Sequence, residues 1–332
     1  MNARGRLTLA FAVAVSTWLP ASAPAEWSVL TDARVSYTDD VFQFSSARRQ
    51  RFIEDPSQPT VLPGARTSDF VWEPAVEVRR VSGSRWGPTE IGFKAHGFVY
   101  TNNPIFNHGN YRIQVRQAFG SDTSVLLRYR YTPNLFLGPN TEHRTGSSLV
   151  EEERVTSHVW RAHVERRLTR ELTATLITRY GLRSYNDAFA ERDTHFYTIG
   201  PQADYALSDR VTLTLGYLYE RGLADGRGDV RFNDDVSYRQ HAVQAGAAIT
   251  IAQPLVAHLT YFYRRKLFTS ELVGDTHVGR VDDTHQGIAE LDYRLAAATT
   301  ALLSFQRSQR TSTVATRDFN DTILTVGLQR VF

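Results

Sequence analysis

The sequence predicts an all-β fold, a transmembrane antiparallel up-and-down β-barrel of about 14 strands with short periplasmic turns and long extracellular loops. Three observations predict it. Apolar and polar residues alternate with a period of two, connections are short and long in turn, and aromatic residues sit early or late in a strand according to its direction.

The alternation comes first. Val211, Leu213, Leu215, Tyr217 and Tyr219 fall on one face of an extended segment, and Thr212, Thr214, Gly216 and Glu220 on the other, with Leu218 as the exception. Leu255, Ala257, Leu259, Tyr261 and Tyr263 oppose His258, Thr260, Arg264 and Lys266 in the same way, with Phe262 among the latter. Val125, Leu127, Tyr129 and Tyr131 alternate with Arg128, Arg130 and Thr132. A period of two belongs to a strand lying between two different environments. The segments are 27–38, 69–81, 88–101, 109–120, 123–133, 155–168, 171–184, 194–207, 210–222, 237–251, 254–267, 284–295, 299–310 and 319–332. Each is long enough to cross a bilayer at a tilt, for which roughly 9–11 residues suffice.

The connections separate a membrane barrel from a soluble sandwich. Short ones fall at Gly120-Ser121-Asp122, Leu168 to Glu171, Leu207 to Arg210, Ala252-Gln253-Pro254 and Ala296-Ala297. Long polar ones fall near 39–68, 102–108, 134–154, 185–193, 223–236, 268–283 and 311–318. Such sorting fits short turns on one side of a membrane and longer loops on the other. An even strand count returns both termini to the short-turn side.

Aromatics give an independent orientation. On strands running toward the long loops they come late: Tyr37, Tyr129, Tyr131, Tyr217, Tyr219, Tyr261 and Tyr263. On returning strands they come early: Phe70, Trp72, Tyr111, Tyr197 and Tyr238. Both sets then share one height, an outer girdle of amphipathic rings at the headgroups. Trp27, Phe119, Tyr205, Tyr293 and Phe332 are expected at the opposite interface.

The N-terminus reads as a secretory signal. Arg4 and Arg6 precede an apolar run from Leu7 to Val15, and Ala23-Pro24-Ala25 offers small residues for cleavage, so the expected mature barrel is 26–332. Cleavage leaves 307 residues with a net charge of +1. Of the 38 basic residues only Lys94 and Lys266 are lysine. Near-neutrality argues against a nucleic-acid partner, which needs a concentrated basic face. The absence of cysteine excludes a disulfide scaffold, a lipid-anchored cysteine and thiolate chemistry. A negative mean hydropathy excludes a helical membrane bundle.

Leu324, Val326, Leu328 and the terminal Phe332 resemble the closing strand of bacterial outer-membrane barrels. The resemblance implies that Phe332 is an assembly signal read by the barrel-insertion machinery. It also implies an integral outer-membrane protein of a Gram-negative cell, in contact with outer-membrane lipid and lipopolysaccharide. Arg330 departs from the apolar set, but near the interface a cation costs only roughly 0–1 kcal/mol.

If the Leu and Tyr positions face lipid, the opposite face lines a pore. Its expected basic wall comprises Arg112, Arg116, Arg128, Arg130, Arg161, Arg179 and Arg183, continued by Arg264 and Lys266. Its expected acidic residues are Asp32, Glu73, Glu77, Asp204, Glu220, Glu290 and Asp292. Arg34, Arg79, Lys94, His96, His163, Glu165 and Arg294 belong to the same face. One reading is a transverse field, as in anion- or sugar-phosphate-passing pores. The other is a set of cross-strand ion pairs that rigidifies or closes the barrel. Fourteen strands should leave a water-filled lumen. The first long loop, Asp39 to Asp69, carries Arg48, Arg49 and Arg51, and could fold inward as the constriction loop of general porins does.

One tripeptide bears on catalysis. Asp193-Thr194-His195, Asp275-Thr276-His277 and Asp283-Thr284-His285 lie at the expected outer rim. They resemble the Asp-x-His arrangement of omptin proteases, with Asp39-Asp40, Asp234-Asp235 or Asp282 as a possible acidic partner, and such a cluster also suits a divalent metal. Omptin barrels have ten strands, and Ser157 beside His158 has the wrong spacing for an outer-membrane phospholipase. No catalytic site, metal or cofactor is therefore expected. The expected function is a porin-like channel for small anionic or sugar-like solutes. The alternatives are an export conduit for an anionic polysaccharide and a non-transport surface barrel, whether hydrolase or adhesin.

Overall fold

The computed structural model describes residues 26–43, 66–145 and 149–332. The expected signal peptide and the arginine-rich part of the first long loop lie outside the described residues. Fourteen strands follow in chain order: β1 Glu26–Thr38, β2 Asp69–Ser84, β3 Gly87–Tyr100, β4 His108–Phe119, β5 Thr123–Thr141, β6 Val150–Arg167 and β7 Leu172–Tyr185. The second half comprises β8 Thr194–Ser208, β9 Val211–Ala224, β10 Tyr238–Ala252, β11 Leu255–Phe268, β12 Val281–Ala296, β13 Thr299–Ser312 and β14 Phe319–Val331. Short 3₁₀ turns at Pro104–Phe106, Asp187–Arg192 and Ala315–Arg317 sit in long connections.

Each strand pairs antiparallel with its chain neighbours, and β1 closes on β14, from Leu30 opposite Val331 to Thr38 opposite Ile323. Backbone bonds between Val29 and Phe332, 2.8 and 3.1 Å, extend that seam to the last residue. Closure leaves no free sheet edge, which a backbone in hydrocarbon requires. Among the described residues no helix is long and apolar enough to cross a membrane. Two-residue links such as Arg85-Trp86 gather at the end where Glu26 and Phe332 lie, and the long loops at the other.

The period of two sets the two faces. Leu127, Leu176, Leu215, Leu259, Leu303 and Val326 stand outward and exposed, while Glu77, Gln114, Thr175, Thr214 and Gln286 point inward and are buried. Leu218 and Phe262 keep inward register despite being apolar, which accounts for both exceptions in the pattern.

The β5–β6 hairpin is longer than the sequence suggests, because 134–141 and 150–154 pair as strand rather than loop. Register shifts after Thr132 and Phe136, with positive φ at Asn134 (45°) and Gly138 (129°), interrupt the alternation there. Bulges of this kind hide a strand from a period-two pattern.

The outer girdle forms as expected at Tyr37, Phe70, Trp72, Tyr111, Tyr197, Tyr217 and Tyr261, all exposed on the outward face. Tyr238 is a correction. It opens β10 in step with inward Gln240 and Ala242, and its ring lies buried inside the barrel. Within the girdle a clasp recurs on four successive hairpins. Tyr129 and His158, Tyr180 and His195, Tyr217 and His241, and Tyr261 and His285 each join tyrosine Oη to imidazole Nδ1 over 2.6–2.9 Å.

Candidate functional site

The charged inner face is the candidate site. Every residue of the expected walls falls in inward register: Asp32 on β1, Glu73 and Glu77 on β2, Asp204 on β8, Glu220 on β9, Glu290 and Asp292 on β12. The basic positions occupy β4 to β7 and β11. Pairing makes the arginines contiguous. Arg112 stands directly opposite Arg130, while Arg128, Arg161 and Arg179 are opposite one another across three strands. Directly opposed residues have Cα atoms only about 4.5–5.5 Å apart.

The wall is paired at its flanks and open in its middle. On one side Arg112 meets Glu77 at 2.8 Å. Arg116 reaches Glu165 at 3.6 Å and donates to the Ser124 hydroxyl at 3.1 Å. On the other side Arg179 and Arg183 share Glu220 at 3.8 and 3.9 Å. Between them Arg128 donates only to the Gln114 amide oxygen at 3.2 Å, and Arg130 and Arg161 meet no carboxylate among the described residues. The Nε atoms of Arg116, Arg161, Arg179 and Arg264, with Nε2 of His163, are buried without an acceptor. Unsatisfied buried donors are rare and call for a ligand, ion or water.

The acidic residues are engaged instead. Asp32 holds Arg34 at 2.7 Å, and Arg34 extends to Glu290 at 3.8 Å. Glu73 accepts from the Ser36 hydroxyl at 2.6 Å and faces His96 at 3.5 Å, and Asp292 faces His258 at 3.6 Å. Asp204 accepts from Thr214 and Gln202. Glu220 accepts from Thr198 and Tyr238, both at 2.7 Å. The two sectors differ: ion pairs hold the acidic arc, and in the middle of the basic one Arg130 and Arg161 meet no carboxylate among the described residues.

Sequence reasoning missed an aromatic shelf above this wall. Phe196, Tyr238 and Phe268 point inward, and cations stack on them: Arg183 over Phe196 at 4.4 Å, Lys266 over Tyr238 at 4.0 Å and over Phe268 at 4.4 Å. Lys266 thus balances its charge on rings rather than carboxylates. The glycines explain the packing. A Cβ at Gly181 would lie 2.1 Å from the Phe196 ring, and one at Gly222 2.3 Å from Tyr238. The detectable signal was a glycine and an aromatic in inward parity on adjoining strands.

At the long-loop end the three Asp-Thr-His tripeptides part ways. Asp193 accepts from the Tyr185 amide while His195 joins its outward clasp. Asp283 accepts from Tyr263 and His285 from Tyr261. Only Asp275 and His277 bond to each other, at 2.9 Å, with Asp234 at 3.5 Å from the same imidazole nitrogen. The three are buried, and their donor atoms lie within 4.8 Å of one another, a spacing a cation would accept. The oxygens are already used, however. Asp275 also accepts from Ser270 and the amides of Asp235 and His277, and Asp234 accepts from Arg192, which in turn reaches Glu153. Burial pushes the His277 pKa down against the pull of its two carboxylates. Burial would raise Asp275, but the Ser270 hydroxyl and the two amides overcome it and hold it below the usual range. Arg192 is raised, because Glu153 and Asp234 outweigh its burial. The cluster is a knot that ties three loops together.

No protein-family model matches the chain, and no curated protein matches its sequence. Among solved structures it is similar to the outer membrane channel DcaP of Acinetobacter baumannii, with a TM-score of 0.52 and 10% identity over 94% of this chain and 98% of that one. It is also similar to an anion-selective porin from Comamonas acidovorans (TM-score 0.46, 11% identity, 93% and 99% covered). A bacterial polysaccharide outer membrane secretin gives 0.48 at 9% identity, with 91% and 97% covered. At these identities the likeness is one of fold. The chain is a closed, fourteen-stranded antiparallel β-barrel whose outer face is apolar.

Proposed function

We propose that the protein is a porin-like outer-membrane channel that favours small anionic or sugar-like solutes. One observation carries the preference: the row Arg128, Arg161 and Arg179, with Arg130 beside it, in which like charges stand directly opposite while the nearest carboxylates lie only at the flanks. Like charges so placed destabilise a sheet by roughly 0.2–1 kcal/mol per pair. An anion in the lumen offsets that cost by lying against the guanidinium groups. The reading assigns no catalysis, since the Asp275–His277 pair is buried and the Asp275 oxygens are engaged.

The test is electrical. In planar bilayers the pure protein should conduct and prefer chloride over potassium. Replacing Arg128, Arg130 and Arg161 together with Gln should move the reversal potential toward neutrality. The change should be largest at low salt, since screening shortens from about 10 Å at 0.1 M to 3 Å at 1 M. A preference for potassium in the wild type would defeat the reading.

A second reading, an export conduit for an anionic polysaccharide, draws on the axial repeat of the same wall. Arg112 and Arg116, Arg128 and Arg130, and Arg179 and Arg183 recur along their strands at roughly 7–13 Å, given about 3.3 Å per residue. Under it, current block by anionic oligosaccharides should deepen with chain length. Block that is independent of length favours the solute channel.

A further inference from the structure

Beside the loop knot lies a carboxylate that the knot does not use. Glu191, in the 3₁₀ turn Asp187–Arg192, is 2% exposed, and both its side-chain oxygens are buried without a hydrogen-bond donor among the described residues. This turn lies tight against the β9–β10 connection, which carries Asp234. Gly226 donates to the Glu191 carbonyl at 2.7 Å, and a Cβ on Gly226 would lie 2.8 Å from the Glu191 Cβ. Burial and the neighbouring Asp234 charge push the Glu191 carboxyl above its ordinary value. A buried carboxylate without donors is costly unless a cation meets it.

The other members of the cluster are turned toward one point. Asp234 gives Oδ2 to Arg192, and Asp275 gives Oδ2 to the Ser270 hydroxyl and the Asp235 amide. The Oδ1 atoms of both then converge on Nδ1 of His277, at 3.5 and 2.9 Å. Asp275 Oδ1 accepts the His277 amide as well, at 2.9 Å, so one lone pair is left facing the imidazole. A single imidazole proton serves two anionic oxygens poorly. Glu153 and Asp234 share Arg192, and Asp282 holds Arg280, so neither guanidinium is left to neutralise Asp275 and Glu191. Carboxylates fixed through one oxygen, with the other turned inward, are arranged as a metal ion requires of its ligands. Zinc bonds of about 2.0–2.2 Å set neighbouring ligands roughly 3–3.5 Å apart, close to the spacing found here.

We infer that Asp234, Asp275 and His277, with Glu191 as a fourth donor, hold a divalent cation of the zinc class at the long-loop end. Three carboxylates and one imidazole suit such an ion better than calcium, which takes about 6–8 oxygens. Bound there, the ion takes the place of the proton on Nδ1, which shifts to Nε2, and clamps three connections together. The site lies apart from the arginine wall and stands or falls separately from the channel reading.

The test uses untagged full-length protein in detergent, stripped with a chelator, held at pH 7.5 and titrated with zinc chloride. Elemental analysis should count one zinc per chain at saturation. At about a hundred times the dissociation constant, zinc should slow protease cleavage within 269–280 about a hundredfold, because the ion binds only the closed loops. E191Q is the decisive variant, since Glu191 makes none of the knot's side-chain hydrogen bonds. Without metal it should be cleaved no faster than the wild type, yet it should bind zinc weaker by on the order of tenfold or more. Heat-modifiable migration checks that it is folded. Zinc that leaves the wild-type loop unprotected overturns the inference, as does equal zinc affinity in wild type and E191Q. So does calcium that protects as well as zinc at the same concentration. Zinc taken up by the outward histidines of the clasps would appear as binding without protection, which counts against the site too.

Discussion

The two sectors of the barrel interior solve the same problem in opposite ways. In the arc from β12 through β1 to β2, carboxylates and cations are closed on each other, as in Asp32–Arg34–Glu290 and Glu73 with Ser36 and His96. In the arc from β5 to β7, arginines face arginines and their nearest carboxylates stand at the margins. The first arrangement stabilises the wall. The second costs stability, since like charges stand directly opposite. Charge count does not distinguish the two; strand register does.

The sharpest way to break the contrast is to remove one cation from each sector. R34Q should destabilise the barrel by about 3–5 kcal/mol, because it leaves Asp32 buried without its cation. R161Q should be neutral or stabilising by roughly 0.2–1 kcal/mol, since it relieves like-charge opposition. Urea unfolding in detergent reads both. Similar losses for the two variants would mean that Arg161 is as firmly paired as Arg34.

Glu220 stands at the border between the two regimes. E220Q removes the carboxylate shared by Arg179 and Arg183 while keeping the hydrogen bonds available to Thr198 and Tyr238. It should lower the temperature of heat modification and at the same time raise the preference for anions over cations. A fall in stability with unchanged selectivity would show that Arg179 does not reach the permeating ion.

A smaller effect concerns the loop knot. His277 has its folded pKa held below its ordinary 6.5, and Asp275 below 3.8. For both groups the unfolded loop binds more protons, so the stability they contribute rises with pH. The His277 share should begin to fail as pH falls through about 6.5, and the Asp275 share as it falls through about 3.8. Protease cleavage within 269–280 should therefore increase between pH 7.5 and pH 5. Glu191 and Asp193 on the adjoining loop shift the opposite way, through burial, so the readout has to be local. H277N, which cannot take up the proton, should flatten the response.

The fold was legible because a barrel wall divides two media and every strand repeats that division. The clearest segments, such as Val211 to Glu220, carry it residue by residue. It failed where bulges break the period, at Asn134 and Gly138. It also failed where parity competes with type, as at Tyr238, whose aromatic character suggested the girdle and whose even position on β10 turned it inward. The candidate site was legible as a set of residues but not as a set of pairs. Nothing in the chain around Arg161 says that its cross-strand neighbours are Arg128 and Arg179, because register depends on turns and bulges elsewhere. The same holds for the aromatic shelf and the knot, whose glycine–aromatic parity and Asp-Thr-His tripeptide stand in the sequence but whose pairings do not.

The clasps between tyrosine and histidine join the two strands of one hairpin, β5–β6, β7–β8, β9–β10 or β11–β12, and none of the four links one hairpin to the next. Each of these four hairpins therefore brings its own tyrosine–histidine anchor on the outward face. Such a unit can be copied, lost or transplanted without rewriting its neighbours, so a lineage of this barrel can change girth two strands at a time while keeping its depth in the bilayer.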